Sequence, residues 1–113
     1  MAQPSTPIRR FFRIVDHSPP TVDDFKSYKA LGIPLIDPRR EELYDGVSVW
    51  NTDMQAWRRA AKKAQPKYVS ILDVPADGSV RFARTTSQAG HHTIWASPET
   101  LLGYVKRTVA VPV

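Results

Sequence analysis

Residues 9–15, RRFFRIV, set aromatic and β-branched side chains side by side without helical spacing, and the stretch reads as a first strand stopped by HSPP at 17–20. Thr21 and Asp24 then have the spacing of a capping box, and Phe25, Tyr28 and Leu31 follow on one helical face until Gly32 and Pro34 close it. Asp37-Pro38 repeats the device: an N-cap followed by proline at the first helical position. The short helix it opens carries Leu43 and Tyr44 and ends at Asp45-Gly46. VSVW (47–50) is a short buried strand. Thr52 and Gln55 open the clearest helix, with Met54, Trp57, Ala61 and Ala64 predicted on its inner face and Arg58, Arg59, Lys62 and Lys63 outside, until Pro66. From there the period changes to two. Strands are predicted over 67–75, 79–86 and 91–96. Ser97-Pro98 then caps a helical turn with Leu101 and Leu102, closed at Gly103, and a last strand over 104–113 puts Val105, Val109, Val111 and Val113 on one face.

Helices early and strands late, without regular alternation, give an α+β domain and disfavour a doubly wound sheet. A Pro/Ser/Thr leader over 1–8 precedes one domain over 9–113, a length with room for a single core. An apolar content of 42% and a charged content of 24% are ordinary for a globular chain and argue against disorder. With no membrane-length apolar run and no signal-peptide core, the expectation is a soluble, cytoplasmic protein. The absence of cysteine excludes disulfides, thiolate nucleophiles and Cys-ligated zinc.

Charge adds a direction. The net charge is +5, but residues 1–15 hold three basic and no acidic side chains, 16–53 hold four and eight, and 54–113 hold nine and three. The positive field therefore belongs to the C-terminal half and suits an anionic partner.

Four features could carry chemistry. His91 and His92 are adjacent on a strand, so their side chains point to opposite faces and only one of them belongs to a site. His92, sharing the face of Ile94, is preferred. The only other histidine, His17, is distant in sequence, and no metal site is expected. Arg13 lies between Phe11 and Val15 on its strand face and needs a carboxylate or a ligand phosphate for its guanidinium. Ser48, between Val47 and Val49, bonds to backbone or lines a pocket floor. Arg58, Arg59, Lys62 and Lys63, with Lys67 just after, form a basic cluster whose i,i+4 repulsion suggests a solvated face or a phosphate contact. No aromatic is interleaved on that predicted outer face, as base stacking would need.

The order of these pieces (a first-strand arginine, GVSVW, TDMQAWRRAAKKA, YVSILDVP and RTTSQAGHHTIW) resembles a small ADP-ribosyltransferase-like fold. The resemblance implies two small antiparallel sheets forming a cleft, three to four short helices, and NAD as the bound dinucleotide. It implies that Arg13 contacts NAD, that Ser48 supports the pocket with Thr52 in the cofactor set, and that His91 or His92 stands behind a substrate loop at 85–90. The late-strand glutamate of protein-modifying members has no counterpart, since the glutamates are Glu41, Glu42 and Glu99. Some branches acting on RNA phosphates or small molecules use histidine and arginine instead. The leading expectation is therefore NAD-dependent ADP-ribosyl transfer or related phosphate-directed chemistry, with Arg13 as phosphate clamp and a histidine as acid–base group. The alternative is a non-catalytic module that binds nucleic acid or an acidic protein through the basic helix 54–64. A metal-free ribonuclease ranks last, because adjacent strand histidines cannot meet at one phosphate.

Overall fold

The structure, a computed structural model, describes residues 7–62, 67–85 and 89–111. Its frame is one antiparallel sheet built from β1 (Ile8–Val15), β2 (Val47–Trp50), β3 (Tyr68–Pro75), β4 (Arg81–Arg84), β5 (His91–Trp95) and β6 (Val105–Ala110), in the order β4-β5-β2-β1-β3-β6. The helices are α1 (Glu41–Tyr44), α2 (Asp53–Ala60) and α3 (Pro98–Gly103), with single 3-10 turns at Val22–Phe25 and Pro38–Arg40. Among the described residues no helix is long and apolar enough to cross a membrane.

The expected pair of sheets is one sheet. Its two halves, β4-β5-β2 and β1-β3-β6, meet at a single register pair, Phe12↔Trp50, whereas β1 pairs with β3 from Ile8↔Pro75 to Val15↔Tyr68. Beyond Phe12 the strands β1 and β2 part, leaving a seam in the middle of the sheet. The site described below lies along it.

Alternation sorts the side chains onto two faces. One face carries the main core, in which Phe11, Val15, Val49, Leu72, Val74 and Ile94 pack with Phe25 of the first 3-10 turn and Leu101 of α3. The opposite face carries Phe12, Ile14, Trp50 and Val69 under α2. The helix meets them through Ala56 and Ala60, both buried, while Met54 (57% exposed) and Trp57 (37% exposed) lie toward solvent. Ala61 is exposed as well and Ala64 lies outside the described residues, so the predicted inner face is displaced around the described part of the helix. Alanine methyls allow close approach to the crowded Trp50 surface, where an indole has no room.

Caps are found at the predicted sites. The Asp37 carboxylate accepts from Arg39 N (3.0 Å), the Thr52 hydroxyl from Gln55 N (3.3 Å), and the Ser97 hydroxyl from Thr100 N (3.1 Å). The helix predicted from Thr21 to Leu31 is shorter: after Phe25 the chain leaves helical geometry, and Tyr28 and Leu31 are exposed. Its later residues instead join an apolar segment, Leu31 to Ile36, which lies across one end of the seam.

Gly90 is required where it stands. Its φ is +75°, and a Cβ there would meet Gln55 Oε1 at 1.7 Å and Asn51 Oδ1 at 2.6 Å. Gln55 could swing away only by leaving Thr52, whose hydroxyl donates to that same oxygen (2.8 Å). Gly90→Ala is expected to destabilise the fold by about 2 kcal/mol, from left-handed backbone strain and a lost cap contact. Urea denaturation checks this, and adding Gln55→Ala should return only the steric part of the loss.

Candidate functional site

Arg13, Ser48 and His91 line one cleft of about 380 Å³ on the α2 side of the seam, together with Ile14, Trp50 and Tyr28. Parity explains the grouping. Ser48 pairs with Thr93 and Trp50 with His91, so these side chains share a face with Ile14. His92 pairs with Val49 and points the other way, its ring 5.4 Å from that of Phe11 in the main core. The preferred histidine is therefore exchanged: His91 faces the cleft, and His92 packs beneath it with Nδ1 3.2 Å from the Gly90 carbonyl.

Arg13 shares its strand parity with Phe11 and Val15, yet its long side chain turns into the seam. Its Nε donates to the Asp24 carbonyl (3.1 Å) and its Nη1 to the Ser48 carbonyl (2.8 Å). The guanidinium thereby bridges β1 to β2 where the backbone ladder has stopped. Sequence reasoning required a carboxylate or a phosphate; the partners found are two carbonyls, which accept hydrogen bonds but leave the positive charge unneutralised. Burial lowers the Arg13 pKa, with Tyr28, Asp24 and Asp16 opposing the shift, and an arginine remains a cation under such conditions.

Other cations reach the same cleft. Arg59 enters from α2, and Lys26 and Lys67 stand at its wall, with Asp16 as the acid among the lining residues. Lys67 is paired to Asp16, and Lys26 to Asp23 at 2.8 Å. The His91 ring meets Trp50 edge-on, centroids 5.0 Å apart. Burial holds its pKa below the usual histidine value, reinforced by the like charges of His92 and Arg59. His91 is accordingly a neutral imidazole at pH 7, fit to accept a proton.

An adjoining hollow of about 740 Å³ shares Tyr28, Leu43, Ser48 and His91 with the cleft and is lined further by the Ile33–Ile36 stretch, by Tyr44 and Thr93, and by the charged Asp37 and Arg40. One continuous depression thus runs from a cationic end at Arg13 to the apolar Ile33–Ile36 stretch, which Asp37 and Arg40 border. The apolar wall was not recognised from sequence, although the uninterrupted LGIPLI run, lacking either a helical or a strand period, was its visible trace. Trp95 Nε1, donating to the Glu42 carbonyl (2.9 Å), ties α1 to β5, and the Tyr44 hydroxyl, donating to the Ile33 carbonyl, ties this segment to α1.

The remaining predicted residues divide. Thr52 caps α2 and does not line the cleft. Of the basic cluster, Arg59 and Lys67 belong to the cleft wall, and Arg58 and Lys62 are exposed on the outer side of the helix region. Lys63 lies outside the described residues, as do Thr86, Ser87 and Gln88 of the expected substrate loop.

Asp24 braces the site from behind. Its buried carboxylate accepts from Asp16 N (2.8 Å), Thr21 N (2.9 Å) and His17 Nδ1 (3.0 Å), while its carbonyl holds Arg13. Burial alone would raise its pKa, but the backbone hydrogen bonds from Thr21 and Asp16, with His17, bring it below the ordinary value. A depressed carboxyl pKa stabilises the fold above the unfolded aspartate value of about 3.9, and that contribution is lost as pH falls through the folded value. Asp24→Ala should cost about 2 kcal/mol at pH 7 by stranding these donors. Stability measured against pH should lose part of its acid limb in the variant.

Compared with protein-family models, curated proteins and solved structures, the chain matches none of them significantly.

Proposed function

We propose that the seam cleft binds NAD and that the protein is an ADP-ribosyltransferase-like transferase. The observation that carries this reading is the convergence of Arg13, Ser48 and His91 on one depression that runs from a cationic end to the apolar Ile33–Ile36 stretch. Such a division suits a dinucleotide: pyrophosphate against Arg13 and Arg59, a flat ring against Tyr28 and the Ile33–Ile36 wall. The volumes fall in the range of small-molecule sites, about 300–1,000 Å³.

In the transfer, the bond between nicotinamide and ribose breaks, and nicotinamide leaves neutral with the bonding pair. The acceptor's nucleophilic atom bonds to the ribose carbon, and its proton passes to neutral His91. Arg13 holds the pyrophosphate through the donors that its two carbonyl bonds leave over. Trp50 fixes the imidazole plane, and Ser48 forms the floor between phosphate and base.

Isothermal titration calorimetry tests the reading with NAD, ADP-ribose and nicotinamide. NAD and ADP-ribose should bind competitively, nicotinamide more weakly, and raising salt should weaken the first two. Absence of heat with NAD and ADP-ribose at millimolar concentration would remove the proposal.

A further inference from the structure

The outward turn of Trp57 changes what the basic helix can do. α2 buries Ala56 and Ala60, so its exposed arc carries Met54 and Trp57 on one flank, Arg58 with Lys62 along the middle, and Arg59 on the flank that enters the cleft. Past Asp53, at the first helical position, the described part of the helix and its following turn hold three cations and no acid. Arg58 and Lys62 make no ion pair among the described residues, so their charge is available to a ligand. A row of unpaired cations beside an exposed indole is the combination that single-stranded nucleic acid needs: phosphates along the charges and a base stacked on the ring. An acidic polypeptide would use the charges but has no use for the indole.

We propose that the exposed face of α2, formed by Trp57, Arg58, Lys62 and Arg59, is a binding surface for single-stranded nucleic acid. Trp57, Arg58 and Lys62 do not line the cleft, so this surface requires nothing of the NAD reading. Arg59, shared by the two, brings the bound strand to the mouth of the cleft.

The test uses the full chain and fluorescein-labelled oligo(dT), read by fluorescence anisotropy against salt concentration. Three phosphate contacts predict a slope of about −2 in log K against log salt, at ~0.7 per contact on a single strand. Arg58→Glu with Lys62→Glu should lower affinity by at least about tenfold and flatten that slope. Trp57→Ala should lower affinity by about tenfold at every salt concentration, and Trp57→Phe, which keeps a stacking ring and the fold, should recover most of it. Calorimetric NAD binding should be unchanged in the Trp57 variants, which separates this surface from the cleft. Absence of binding at low salt overturns the proposal. So does equal competition by poly-glutamate together with wild-type affinity in Trp57→Phe and Trp57→Ala, the result for an acidic-protein surface.

Discussion

Replacing Arg13 with methionine is expected to weaken ADP-ribose binding and to loosen the middle of the sheet together. Methionine keeps the apolar stem of the side chain and deletes the guanidinium. Two charge-assisted hydrogen bonds vanish, to the carbonyls of Asp24 and Ser48. At ~1.5–3 kcal/mol each, their loss should destabilise the fold by about 4 kcal/mol, measured by urea denaturation. The seam has no other register pair beyond Phe12↔Trp50, so no neighbouring ladder bond substitutes. Binding should weaken by about 100-fold, the usual scale for removing one partner of a desolvated charge pair. Arg13→Lys separates the two roles. An ammonium supplies the charge but cannot span two carbonyls and a phosphate at once, so it should restore some affinity and little stability. Full stability loss with unchanged ADP-ribose binding would mark Arg13 as purely structural.

That dual role bears on how far the chain could be read directly. Local devices were legible because their physics is local. Asp37-Pro38, Thr52 with Gln55 and Ser97-Pro98 each satisfy backbone N–H groups within a few residues, and each cap is found in the structure. Alternation likewise separated His91 from His92. It could not say which face would be covered by the core and which left open, because that depends on where α2 docks. Ile94, which drew the preference toward His92, is fully buried, and its face is the main core.

Trp57 misled for a related reason. Hydrophobicity placed the indole inward, but the surface beneath α2 is already filled by Trp50 and Phe12, and only alanines fit against it. Arg13 escaped strand parity because its side chain is long enough to turn across the seam. The seam itself, where β1 and β2 part after one pair, leaves no local mark in either strand.

His91→Asn should lower ADP-ribosyl transfer by about 10²–10⁴-fold while leaving NAD binding within a few-fold, since an amide holds the space but takes no proton. The pH profile carries the stronger test. Burial and the like charges of His92 and Arg59 hold the His91 pKa below its ordinary value of about 6.5. The rate should therefore rise with pH through a midpoint below the ordinary histidine value. Arg59→Gln removes one of the two like charges, so the rising limb should move to higher pH. A general positioning defect would scale the whole profile down without moving it. Stability follows the same proton. The unfolded chain protonates at a higher pH than the folded one, so the unfolded state binds more protons between the two values. The fold should lose stability as pH falls from just above 6.5 toward the folded value, and His91→Asn should flatten that slope. A limb that Arg59→Gln leaves in place, or a stability slope that survives in His91→Asn, would assign the titration to another group and take the base role from His91.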